Sequence, residues 1–199
     1  MNDGETDLRS ALAARGALLE GHFRLSSGRH SDRFVQKFRI LEDPVLLEPV
    51  AKAIADRSRS LEPTIVVGAA VGGILLAYEV ARQLGTKAIF VEKEEGVPLL
   101  RRGFTLTSAD RVLIVEDVMT TGLSTRETIA VVRARGAQIV GLGVIIARDP
   151  AILSDGNLTR DIAGPAFALL DLPLQSYDES VCPKCGAGEP LADPGSRRS

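Results

Sequence analysis

From residue 63 onward the chain alternates short aliphatic runs with longer segments whose apolar residues recur every three or four positions. Thr64 to Gly68, Lys87 to Glu92, Arg111 to Val115, Gln138 to Ala147 and Pro165 to Leu172 read as strands. Between them, Gly72 to Leu84 and Leu123 to Arg135 read as amphipathic helices, the second closed by Gly136. Strand–helix alternation of this kind predicts an α/β fold with a mostly parallel central sheet, right-handed crossovers and helices on both faces. Continuous aliphatic runs fit that reading, because such strands are buried on both sides. One stretch breaks the pattern: Glu92 to Gly103 is charged, lacks periodicity and reads as a loop.

The preceding text is more punctuated. Leu8, Ala11, Leu12 and Ala14 predict a helix over Asp7 to Arg15, ended by Gly16. Phe23 and Leu25, then Phe34, Val35 and Phe38, fit two short strands around a Ser-Ser-Gly-Arg turn at 26–29. Pro44 occupies a first-turn position, and Val45 to Arg57 continues as a helix. Three regions emerge: a helix and small hood over 1–40, a core over 41–177, and a tail over 178–199. The tail is rich in Gly, Pro and charge, and disorder is expected from Asp193 to Ser199.

Composition narrows the function classes. A chain of 199 residues with 45% hydrophobic content can bury a continuous core. A net charge of -2 and pI near 5.8 give no global pull toward nucleic acid or anionic lipid. Tryptophan is absent and aromatics are 4%, which argues against stacking on single-stranded nucleic acid. No apolar run approaches the ~20 residues of a membrane span, and the acidic start, Met1 to Asp7, is unlike a secretory signal. A cytoplasmic protein without nucleic-acid or membrane partners is expected.

The chemistry concentrates after the third core strand, in Val112-Leu-Ile-Val-Glu-Asp-Val-Met-Thr-Thr-Gly-Leu-Ser-Thr125. Ligands of open parallel sheets bind at the carboxyl ends of strands, where this run delivers Glu116 and Asp117. Thr120, Thr121, Gly122 and Ser124 follow as a small-residue loop leading into a helix. Backbone N–H groups, hydroxyls and a helix N-terminus together suit a phosphate monoester, while the acids can accept hydrogen bonds from ribose hydroxyls. Helix capping and ordinary turn chemistry would explain the same residue types one by one. The loop is not a Walker A sequence, since Gly-x-x-x-x-Gly-Lys-Ser/Thr is missing. Gly68-Ala-Ala-Val-Gly-Gly73 is a second strand–glycine–helix junction, open to an anion-binding and a close-packing reading.

Val112 to Thr125 resembles the phosphoribosyl-pyrophosphate signature of type I phosphoribosyltransferases. Gly21-His-Phe-Arg-Leu-Ser-Ser-Gly-Arg-His-Ser31 resembles the opening of the orotate phosphoribosyltransferases, where Phe-x-Leu-x-Ser-Gly-Arg-x-Ser recurs. The resemblance covers roughly residues 10 to 175 and implies a pentosyltransferase of pyrimidine biosynthesis with the type I phosphoribosyltransferase fold. It would join the phosphoribosyl group of phosphoribosyl pyrophosphate to orotate as a homodimer, with Mg²⁺ carried mainly by the substrate. It also implies that Glu116 and Asp117 hold the ribose hydroxyls. Val118, Met119, Thr120, Thr121, Gly122, Leu123 and Ser124 would surround the 5-phosphate, with Val71 and Gly72 at the pyrophosphate. Orotate would meet Thr120, Arg148 and the backbone of Phe34 and Val35. An arginine at a strand's carboxyl end can pair with a carboxylate in two-pronged fashion, or simply with its neighbour Asp149.

The resemblance is incomplete. Glu92 to Gly103 stands where the family has a mobile catalytic loop rich in cations, and only Lys93 matches as its catalytic lysine; Arg101 and Arg102 could substitute. Lys93 among Glu92, Glu94 and Glu95 is equally well a solvated charge. The family's lysine before Ser-Gly-Arg is replaced by Ser26, and Gly72 stands where another is frequent. Three rival readings remain: a transferase for a purine base, a non-catalytic sensor of phosphoribosyl pyrophosphate, and a plain structural α/β domain in which the loop of Val112 to Thr125 is coincidence. Cys182 and Cys185 are spaced as half a zinc knuckle. With His22 and His30 remote in sequence they read as a free, reduced pair in a loose tail, or as a site pooled across a dimer. No metal is assigned.

Overall fold

The computed structural model describes residues 3–25 and 27–194. In chain order the elements are helix α1 (Asp3–Ala14), strands β1 (Leu18–Arg24) and β2 (His30–Val35), helices α2 (Phe38–Leu41) and α3 (Pro44–Ser58), and strand β3 (Ile65–Ala69). Helix α4 (Gly72–Leu84), strands β4 (Lys87–Glu94), β5 (Val97–Leu100) and β6 (Arg111–Met119), and helix α5 (Leu123–Arg133) follow. The chain continues through β7 (Gln138–Ala147), α6 (Gly156–Thr159), β8 (Ala166–Asp171) and α7 (Pro183–Gly186). They form two compact units, residues 41–172 and residues 1–40 with 173–199.

The larger unit is built on a six-stranded sheet in the order β5-β4-β3-β6-β7-β8, parallel except for the β4–β5 pair. Successive residues of a strand point to opposite faces. In β6 both Leu113 and Ile114 are buried, and in β7 Leu142 through Ala147 are buried without a break. Both faces are therefore covered, which is why these strands carry no hydrophobic–polar alternation. Asp43 accepts a hydrogen bond from the Val45 N–H at 3.0 Å and caps α3, with Pro44 in the first turn.

Two expectations change. Strand β6 runs to Met119 rather than Val115, because pairing with β7 continues to Met119 opposite Ala147. Glu116 and Asp117 thus lie within a strand. The stretch expected as a loop over 92–103 begins as a hairpin: β4 extends to Glu94, and Glu95 and Gly96, both at positive φ, turn the chain into β5. Two consecutive positive-φ residues are the backbone of the tight turns that suit twisted hairpins.

In the smaller unit, β1 and β2 pair antiparallel, with the register slipping between Glu20 and Phe23. Phe38, expected in a strand, starts α2 instead. The tail is not a loose appendage. His30 and Tyr177 exchange two backbone hydrogen bonds of 2.8 Å, and Ala192 accepts from Arg24 and donates to His22, both at 2.8 Å. Arg29 donates to Ser176 Oγ at 2.9 Å and to Asp178 Oδ1 at 2.7 Å, and Ser31 Oγ donates to the Gln175 carbonyl at 2.9 Å. The expected disorder of the last residues falls mainly on 195–199, outside the described residues, as does Ser26.

Candidate active site

Strand β6 lies between β3 and β7 at the middle of the larger sheet, and the two strand–helix junctions leaving β3 and β6 open at the same edge. After Met119 the chain turns through Thr120 and Thr121, both exposed, to Gly122 at φ 69°. A side chain at Gly122 would be strained by that φ and would meet Ile152 at 2.8 Å. The first bond of α5 runs from the Arg126 N–H to the Gly122 carbonyl at 2.9 Å, and no side chain caps this helix. Its leading N–H groups, at Leu123, Ser124 and Thr125, therefore lack the usual side-chain acceptor. The Arg126 guanidinium donates to the Thr121 carbonyl and braces the loop, and Thr128 Oγ1 donates to the Ser124 carbonyl at 2.9 Å. The product is a braced, exposed loop of hydroxyls around the positive end of a helix, a good anion seat.

The two acids are placed differently from a solvent-facing pair. Glu116 is 7% exposed and Asp117 1%. Glu116 accepts from Thr125 Oγ1 and from the Asp117 N–H, both at 3.3 Å. Asp117 Oδ1 accepts from the Val118 N–H at 2.6 Å. Ionised carboxylates have about four acceptor positions, so these contacts tie the acids into the loop without exhausting them.

Asp117 also links the two junctions. A Cβ at Gly72 would lie 1.7 Å from Asp117 Oδ2, so any larger residue there would have to move that carboxylate. Gly68 and Gly73 meet backbone to backbone; a Cβ on Gly68 would lie 2.1 Å from the Gly73 carbonyl oxygen. The packing reading of 68–73 is therefore correct for Gly68 and Gly73. Between them the Ala70–Val71 peptide is cis, Val71 is 70% exposed, and no side chain caps α4.

Arg148 follows β7, its N–H donating to the Met119 carbonyl at 2.9 Å, which sets it beside the α5 loop. It is half-buried rather than exposed. Burial pushes its pKa down from the ordinary value, and its Nε is a buried donor with no hydrogen-bond partner. Asp149 does not serve as its acceptor: that carboxylate caps the following 3₁₀ turn through the Ala151 N–H at 3.2 Å. A buried, unsatisfied guanidinium nitrogen is costly, and an incoming anion would relieve it.

The cations of the β4–β5 hairpin are already engaged. Lys93 Nζ lies 2.8 Å from Glu127 Oε1, Arg101 2.9 Å from Glu94, and Arg102 2.8 Å from Glu92. Arg102 holds the Glu92 carboxyl below the usual carboxylate range. Lys93 and Glu127 nonetheless line one crevice with Ala69, Ala70 and Ser124, which brings Lys93 to the two helix-opening junctions. Phe34 and Val35 are on β2 of the smaller unit.

Residues 39–155 match the phosphoribosyl transferase domain family. Over 179 residues the chain is 43% identical to an orotate phosphoribosyltransferase of Caldanaerobacter subterraneus subsp. tengcongensis, covering 90% of each. The chain belongs to the orotate phosphoribosyltransferase family. An orotate phosphoribosyltransferase of Carboxydothermus hydrogenoformans is 41% identical over 194 residues, 96% of this chain and 98% of the relative. The crystal structure of the orotate phosphoribosyltransferase from Aeropyrum pernix superposes with a TM-score of 0.65 at 26% identity, covering 91% and 99% of the two chains. As a phosphoribosyltransferase the chain departs from its expected pattern at Gly72, where a side chain would displace the Asp117 carboxylate from its present position. Sequence reasoning did not single out Arg126 or Thr125. Their signal was only their place in the first turn of α5, where side chains reach back toward the preceding loop. Among the described residues no helix is long and apolar enough to cross a membrane.

Proposed function

We propose that the chain catalyses attack of orotate N1 on the anomeric carbon of phosphoribosyl pyrophosphate, forming orotidine 5'-monophosphate. The new C–N bond replaces the C–O bond to pyrophosphate, which departs with the bonding electron pair, and the N1 proton is lost to solvent or to the departing pyrophosphate. The observation carrying this reading is the uncapped N-terminus of α5 ringed by exposed Thr120, Thr121 and Ser124. That arrangement seats the 5-phosphate, with Val118, Met119, Gly122 and Leu123 shaping the backbone around it. Glu116 and Asp117, at the base of the same loop, accept from the ribose hydroxyls with their remaining lone pairs. Val71 and Gly72, opening α4, present N–H groups to the pyrophosphate. Arg148 Nε meets the orotate carboxylate, which gives its buried donor an acceptor. The roles of Phe34 and Val35 toward the base rest on the family resemblance.

Catalysis then comes from positioning and from charge stabilisation on the leaving group. Mg²⁺ fits this scheme as a substrate-borne ion. The carboxylates nearest the loop are buried and tied into it, so the ion would be held mainly by the substrate, with few ligands from Glu116 and Asp117. When bound, Mg²⁺ neutralises charge on the pyrophosphate. Homodimerisation is part of the proposal, supported by Val71, Leu75 and Tyr78, an exposed apolar row along one side of α4. A cytoplasmic location completes it.

One observation favours a second reading, the non-catalytic sensor: Lys93, Arg101 and Arg102 are all ion-paired. Incubating the purified chain with Mg²⁺, phosphoribosyl pyrophosphate and orotate separates the two. The expected result is stoichiometric pyrophosphate and orotidine monophosphate, from a species of twice the chain mass by light scattering. Calorimetric binding of the donor with no product from orotate would favour the sensor; no binding would sink both.

A further inference from the structure

The register slip in β1 places two residues, Gly21 and His22, opposite one on β2. An extra residue in a strand re-aims the side chain at that point. His22 turns inward to meet His30, the first residue of β2, with Nε2 and Nδ1 of the two rings 3.0 Å apart. The tail returns to this place because it is pinned on either side, at Tyr177 and at Ala192. Between the pins, Cys182-Pro-Lys-Cys185 folds as a single turn, the Gly186 N–H donating to the Cys182 carbonyl at 3.1 Å. Residues 160 positions apart thereby converge. Cys182 Sγ and Cys185 Sγ each lie 3.6 Å from His22 Nε2, and Cys185 Sγ lies 3.2 Å from His30 Nδ1. All four ligand atoms fall within 4.8 Å of one another.

The four separations that involve a histidine nitrogen, 3.0 to 3.6 Å, are close to the edges of a tetrahedron around one ion. Zn–S bonds of about 2.3 Å and Zn–N bonds of about 2.0–2.1 Å at tetrahedral angles give edges near ~3.6 Å for N to S and ~3.3 Å for N to N. The surroundings are those of a ligand set rather than of a polar accident. His22, His30 and Cys182 are 4%, 1% and 4% exposed. His22 Nδ1 is 2.9 Å from the Glu189 carbonyl; donation there leaves Nε2 as a lone pair aimed at the centre, the usual orienting contact of a metal-bound histidine. Two thiolates would balance a divalent cation, leaving a neutral group fit for burial.

We infer that His22, His30, Cys182 and Cys185 form a closed, tetrahedral zinc site that clamps the tail to the β1–β2 hairpin. With four protein ligands it leaves no open position, so its role is structural rather than catalytic. The partly exposed Cys185 gives the ion its way in.

The test uses the full-length chain, untagged and purified without chelator from zinc-supplemented cells. Elemental analysis should find one zinc per chain. After removal with a strong chelator, thermal unfolding should move down by several degrees and return on adding zinc. Cobalt added to the stripped protein should give thiolate-to-metal charge-transfer and tetrahedral d–d absorption, both lost in Cys182→Ser/Cys185→Ser. Were those variants not to fold, the cobalt spectrum of the unmodified chain decides alone. Metal-free protein with no thiolate–cobalt band would overturn the site. So would zinc retained by the double variant, and iron in place of zinc would overturn the choice of metal.

Discussion

The junctions leaving β3 and β6 share one pattern, a buried strand, then small residues, then a helix without a side-chain cap, yet they are made of glycine for different reasons. At 68–73 the glycines let strand and helix backbones touch, Gly68 against Gly73, and let α4 approach Asp117 at Gly72. At 120–124 the single glycine turns the chain at positive φ, and hydroxyl residues occupy the surface. One junction is shaped by what it must pack against, the other by what it leaves open. The same strand–glycine–helix motif can therefore be given over mainly to packing, as at Gly68 and Gly73, or to an open ring of hydroxyls, as at 120–124.

The comparison breaks first at Gly68. Gly68→Ala should cost about 3 kcal/mol or more, because the obstacle is backbone and cannot swing aside. A denaturation midpoint within error of the parent would show that β3 and α4 are not in contact as described. Arg148→Ala, beside the open junction, should leave the fold intact and raise the KM for orotate about 10- to 100-fold, the worth of a charged hydrogen bond. The donor's KM should barely move; equal change in both would remove the carboxylate contact. Smallest is Lys93→Ala. An exposed ion pair is worth about 0–1 kcal/mol, so stability should hold, and any fall in kcat then reports a catalytic role at the crevice. A kcat within about threefold of the parent would leave Lys93 as a surface charge paired with Glu127.

Much of the larger unit was legible because its central strands are buried on both faces and α4 ends on Gly85. Gly72 to Leu84 and Gln138 to Ala147 keep the bounds that periodicity gives them. The end of β4, the turn at Glu95 and Gly96, and β5 were not legible. Most of these residues are exposed on at least one face, so charge rather than alternation dominates the text. In the site, the order of acids, hydroxyls and glycine identified the loop, and the position of Arg148 followed. The burial of Glu116 and Asp117 could not be read, since it depends on β6 continuing to pair with β7 past Val115. Least legible was the meeting of His22 and His30 with the two cysteines, which depends on a tail that crosses back to the hairpin.

That crossing has a consequence for how the chain is made. The unit of residues 41–172 is continuous, whereas its companion joins the first forty residues to the last twenty-seven. On the ribosome the hairpin emerges long before the segment from Tyr177 to Ala192 that pairs with it, and its edges stay unpaired until that segment follows. Long-range closures of this kind form slowly, and unpaired edges invite wrong partners meanwhile. Nascent chains truncated before Tyr177 should therefore be the ones that chaperones retain.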